Sequence, residues 1–201
     1  SGSVTSAPAV LGVIAATNLN VGLVGFWPFN ETAGLVANDT SPNLNLGTLV
    51  NFAGDDSQWV PGYFGGALAF AGNNFVEVQD SPSLSGQVRN GFSVAAWFKS
   101  NVPLSANGNT YRMLEKESSF FLLQGDGNAG GLGVGGMNLL VKKGGANISV
   151  GVGQALEANR WYHLVGTFDG AQLHIYLDSE LKGTRALAAP KIPAKNTTEI
   201  S

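Results

Sequence analysis

The chain has 201 residues, 28 of them glycine, no cysteine, 12% charged residues and a formal net charge of −3. Without cysteine there can be no disulfide or thiolate metal site, and without a basic cluster denser than Lys142-Lys143 there is no electrostatic footprint for nucleic acid. A hydrophobic content of 44% in so glycine-rich and weakly charged a chain excludes disorder and suits one sizeable, turn-rich β domain.

In chain order, residues 1–21 form an apolar, strand-like arm ahead of the first clear motif. Its longest apolar run, APAVLGVIAA at 7–16, is about half the ~20 residues that cross a bilayer and has no basic lead, so neither a membrane span nor an intact signal peptide is expected. A strand is expected at 22–29 (GLVGFWPF), followed by a polar loop at 30–45. Another strand at 47–52 leads into GDDSQWVPGYFGG, whose Pro and Gly read as loop breakers. Short strands at 67–70 and 75–78 flank the Gly72-Asn73-Asn74 turn, and 92–99 (FSVAAWFK) is a core strand. Strands are then expected at 113–117, 120–124, 139–143 and 148–152, with a glycine-rich stretch at 125–136 that reads as turns.

The segment 159–178, NRWYHLVGTFDGAQLHIYLD, carries the clearest signal. Leu164, Gly166 and Phe168 alternate with Val165 and Thr167; Asp169-Gly170 supplies a turn; Leu173, Ile175 and Leu177 alternate with His174 and Tyr176. A period of two broken by Asp-Gly is a hairpin. A last strand is expected at 181–187. Many short strands about ten residues apart, with no 3.6-residue stripe, give an all-β, two-sheet antiparallel sandwich enclosing Trp27, Trp97 and Trp161.

Four stretches, GLVGFWPFNETAG (22–34), VPGYFGGALAFAGNNFVEVQDSPSL (60–84), FSVAAWFKS (92–100) and NRWYHLVGTFDGAQLHIYLDSELKG (159–183), resemble in order the bacterial laminin G-like members of the concanavalin A-like jelly-roll superfamily. The resemblance implies a jelly roll over 22–201. It departs from the family at Ala71 and Asn74, where aspartates are usual, and at Asp178-Ser179, where Asp-Gly is usual. It also implies a terminal strand that the sequence lacks after one beginning near Thr197.

Function is read from the side chains. Glycoside hydrolases of this fold set carboxylates along one strand face, as two-carboxylate chemistry requires; the nearest match is Glu115-Lys116-Glu117, with no third acid following. The loop carrying Asp39, Asn43 and Asn45 offers oxygen ligands for a structural calcium, as in relatives; an Asx-turn loop accounts for the same residues. Trp59, with Asn73 and Asn74 in a neighbouring loop, offers a flat apolar face and hydrogen-bond partners of the kind sugars use. Asn-x-Ser/Thr acceptor sequences occur at Asn30, Asn38, Asn147 and Asn196.

The leading expectation is a non-catalytic, secreted or cell-surface module that binds a glycan or matrix ligand. The alternatives are a filament subunit and a polysaccharide hydrolase. In the filament, the arm (Ala9, Leu11, Val13, Ile14) would complete a neighbour's sheet and give a homo-oligomer.

Overall fold

A computed structural model describes residues 21–85, 91–104, 112–116, 120–124, 136–143 and 146–187. The arm residues Ala9, Leu11, Val13 and Ile14, Glu117, the glycine-rich stretch up to residue 135 and the strand expected from Thr197 lie outside them. The described chain is antiparallel β, as expected, with a single four-residue helical turn, α1 (Pro82–Ser85). No helix among the described residues is long and apolar enough to cross a membrane. The chain divides into two compact units, Ser1–Leu84 and Ser85–Ser201.

In the first unit β1 (Val36–Ala37), β2 (Gly47–Val50) and β5 (Phe75–Val78) form one small sheet in the order β1-β2-β5. A separate ribbon pairs β3 (Trp59–Pro61) with β4 (Gly66–Leu68). Ala37, Leu49 and Leu68 are buried together, with Trp27, Phe29, Phe52, Trp59 and Val76 packed against them. Two of these strands correct the sequence reading. β1 lies inside the expected polar loop, and β3 lies where Pro61 and Gly62 read as breakers. In a two-stranded ribbon both strands are edges, and an edge tolerates a proline that cannot donate to the ladder. Residues 22–29, expected as a strand, make no ladder.

The second unit is a sandwich of two four-stranded sheets, β10-β9-β8-β7 and β13-β12-β11-β6. The first contains β7 (Arg112–Lys116), β8 (Phe120–Gln124), β9 (Met137–Lys143) and β10 (Ala146–Gly151). The second contains β6 (Phe92–Lys99), β11 (Trp161–Phe168), β12 (Gln172–Leu177) and β13 (Glu180–Ala186). Met137, Leu139, Val141 and Val150 from one sheet meet Tyr162, Leu164, Phe168, Leu173, Ile175 and Leu177 from the other. The strict alternation of buried and half-buried residues along β11 and β12 is the one the sequence announces. Where the sheets converge, Gly183 has no room for a side chain: a Cβ there would press on the Gly151 carbonyl oxygen and the Val150 side chain.

The turn joining β11 to β12 is held by Asp169, whose Oδ1 accepts hydrogen bonds from the amides of Ala171 (2.8 Å) and Gln172 (2.6 Å), while Gly170 takes a φ of +93°. The turn joining β12 to β13 has two residues, Asp178 (φ +51°) and Ser179 (φ +71°), both left-handed as a type I′ turn demands. A non-glycine residue there carries a steric penalty of about 1 kcal/mol. Ser179→Gly is therefore expected to raise stability by about 1 kcal/mol. A urea midpoint that stays put or falls would contradict this.

Alternation also corrects the fate of two tryptophans. Phe92, Val94 and Phe98 take the core side of β6, so Trp97 falls on the opposite face, where it is 40% exposed and its ring stacks on His163 at 4.9 Å. Trp161 shares the parity of His163 and is only half-buried, with the Lys99 ammonium 5.0 Å from its ring. Trp27 does pack inward, and its Nε1 donates to the carbonyl of Asn45 at 2.8 Å.

Candidate functional site: a groove beside Trp59

The loop 30–45 is organised from within by Asp39, which is 3% exposed. Its Oδ1 accepts from the amides of Phe26 and Ser41, both at 2.8 Å; its Oδ2 accepts from Ser41 Oγ and the Asn45 amide, both at 2.7 Å. Burial pushes this carboxyl's pKa upward, but the bonds from Phe26, Ser41 and Asn45 together outweigh it and hold the group below its ordinary value. Asn45 extends the network: its Nδ2 donates to the Val24 carbonyl and to Ser83 Oγ, and its Oδ1 accepts from Ser81 Oγ. Asn43 Nδ2 donates to the carbonyls of Leu23 and Val24.

Asp39, Asn43 and Asn45 are thus brought together, but around the backbone of residues 23–26. With both carboxylate oxygens engaged by four donors, the trio as placed does not fit a calcium ion, which needs six to eight oxygens. Among the described residues, no three His, Asp or Glu side chains gather as a metal site.

The same loop builds one wall of a groove of about 510 Å³ lined by Asn30, Glu31, Thr32, Trp59, Pro61 and Gly66, among others. Three clamps fix this wall. Asn30 Oδ1 accepts from the Gly66 amide at 2.7 Å, and the approach is so close that a Cβ on Gly66 would collide with the Phe29 carbonyl oxygen. The Gly34 carbonyl accepts from both Trp59 Nε1 (3.0 Å) and Gln58 Nε2 (3.1 Å), and the Gly34 amide donates to Asp56 Oδ1 at 2.7 Å. Glu31 Oε1 accepts from the amide and Nδ2 of Asn38, both at 2.7 Å.

Trp59 therefore serves two ends: it packs against the Ala37, Leu49 and Leu68 cluster and it lines the groove. Its N–H is bonded to the Gly34 carbonyl, and Asn30, Glu31 and Thr32 line the same groove. An aromatic ring beside a few fixed polar groups, in a cleft of this size, can hold a small polar ligand with an apolar face.

Asn73 and Asn74 are not among the lining residues. They shape the turn before β5: Asn74 Oδ1 accepts from the Ala71 amide, and the Asn73 carbonyl accepts from Asn51 Nδ2. Glu115 is exposed and paired with Arg112 Nη1 at 2.6 Å. Glu31 was missed by sequence reasoning, and Asn30 was noticed only as a glycan acceptor sequence. The Gly65-Gly66 pair was the available signal, since adjacent glycines mark a close backbone approach.

Residues 70–200, well over half of the chain, match the laminin G family model described as the concanavalin A-like lectin/glucanases superfamily. No curated protein matches the chain. Among solved structures it is similar to residues 221–444 of an S-layer domain-containing protein from Clostridium thermocellum. The two are 18% identical with a TM-score of 0.44, and the match covers 88% of this chain and 79% of the other. Alternating strands, the Asp-Gly hairpin and the matched family model agree: the chain belongs to the laminin G-like family of the concanavalin A-like lectin/glucanase superfamily.

Proposed function

We propose that the protein is a non-catalytic recognition module acting outside the cell or at its surface, and that it binds carbohydrate in the groove beside Trp59. The observation that carries this reading is the groove itself: an indole ring whose N–H is already bonded, with Asn30, Glu31 and Thr32 around it. Sugars offer an apolar ring face to aromatics and hydroxyls to polar atoms. The hydrolase alternative leans on Glu115 and Glu117; an ion pair with Arg112 occupies Glu115, and Glu117 lies outside the described residues.

The test is a glycan array probed with the wild type and with Trp59→Ala. The expected result is a set of glycans bound by the wild type and weakened at least about tenfold in the variant. An empty array, or binding indifferent to the substitution, would overturn the reading.

A further inference from the structure

One oxygen of Glu31, a residue that lines the groove, finds no partner among the described residues. Glu31 Oε1 holds Asn38 through two hydrogen bonds, but Glu31 Oε2 is buried and accepts none from them. A buried carboxylate oxygen left without a donor is costly, and the cost is relieved by any donor that arrives, most of all by a charged one. Among the described residues lining the groove, Glu31 alone carries a charge, so no cationic side chain of that lining answers it. Trp59 lines the same groove, and an indole face favours a cation over it.

We infer that the groove selects amine-bearing sugars, taking the ammonium of a hexosamine at the Glu31 carboxylate while the pyranose ring lies on Trp59. The inference rests on the carbohydrate reading above and adds its specificity. The same single negative charge disfavours uronic or sulfated chains, because a like charge would meet it with no cation among the described lining residues to offset the repulsion. Thr32 and Asn30 add a hydroxyl and an amide beside the ring, which suits a polyhydroxylated ligand better than the extended side chain of a lysine.

The experiment measures binding of the full chain, below neutral pH, to chitosan oligomers, N-acetylated chitin oligomers, polygalacturonate and a lysine-rich peptide. Wild type, Glu31→Gln and Trp59→Ala are compared. The expected result is that the wild type prefers the chitosan oligomer by about tenfold, the worth of one charge-assisted hydrogen bond. Glu31→Gln should erase that preference and Trp59→Ala should lose binding of both oligomers, each variant keeping the far-UV circular dichroism of the wild type, which shows that it is folded. Equal binding of chitosan and chitin oligomers by the wild type, both lost in Trp59→Ala, overturns the amine preference and leaves the groove standing. Sugar binding untouched by Trp59→Ala, or no sugar binding at all, overturns the carbohydrate reading and this inference with it. Tightest binding to polygalacturonate or to the lysine-rich peptide overturns the hexosamine assignment.

Discussion

Replacing Asp39 with alanine is expected to cost roughly 4 kcal/mol, because three main-chain amides, two of them in buried bonds, and one hydroxyl lose their acceptor, and each buried orphaned donor costs about 1–3 kcal/mol. Asp39→Asn should cost about half as much, since the amide keeps one acceptor oxygen but turns an NH₂ toward donors. The pH dependence gives a sharper test. The carboxyl's pKa is lower in the folded protein than in the unfolded chain, where it sits near about 3.9. Its contribution is therefore fully present above the unfolded value and lost as pH falls through the folded one. The stability gap between wild type and Asp39→Asn should be constant above about pH 5 and close progressively below it. Asp55, Asp169 and Glu180 also have lowered pKa values, but they are common to both proteins and cancel in the difference. Urea unfolding followed by tryptophan emission, repeated across this range, measures the gap. A gap that is absent at neutral pH, or that widens on acidification, would remove Asp39 from its assigned role.

How much of this could be read from the amino acids depends on where each hydrogen bond and each side chain finds its partner. The bounds of β5, β6 and β8 coincide with those expected, and those of β11 and β12 nearly so. Each carries an apolar run or a period of two, bounded by turn residues, which is the signal of a strand. Residues 22–29 look equally apolar, yet Phe26 sends its N–H to the Asp39 carboxylate and its carbonyl to the Thr40 amide, so the segment is a strap held by a loop. Hydrophobicity cannot distinguish a strap from a strand, because both bury side chains and differ only in who receives the backbone bonds. β1 and β3 are two and three residues long, too short for any period to appear.

Trp97 and Trp161 depart from expectation for a different reason: a place in a core strand does not decide which face a side chain takes, and parity does. Val94 and Phe98 already fix the inner face of β6, which leaves Trp97 outside. The groove was half legible. Trp59 stood out as an aromatic in a polar loop, but its meeting with Glu31 depends on two Gly34 clamps and an Asn30–Gly66 bond that span 24 to 36 positions of sequence. No spacing rule reaches that far. In strap and groove alike, an unremarkable polar residue decides the geometry: Asp39 for the strap, Asn30 for the groove wall.

The inward and outward faces of the β6–β11–β12 sheet can be told apart by two substitutions whose order runs against side-chain size. Leu164 is 0% exposed at the middle of β11, between β6 and β12, and packs with Leu173, Ile175 and the opposing Leu139 in one cluster. Leu164→Ala removes three carbons that close-packed neighbours cannot follow, and the combined transfer and cavity cost is about 2–5 kcal/mol. Trp97 is a far larger side chain, but it lies on the other face, partly in water, with a stacked His163. Its loss should cost roughly 1–2 kcal/mol, the worth of one ring stack and a partial burial. Leu164→Ala is thus expected to lower the urea midpoint further than Trp97→Ala, with little change of slope in either, because neither alters how much surface unfolding exposes. Were the order reversed, the indole would have to be the buried partner, and the register of β6 against β11, in which Trp97 faces His163 and Ala96 faces Leu164, would be wrong by one residue.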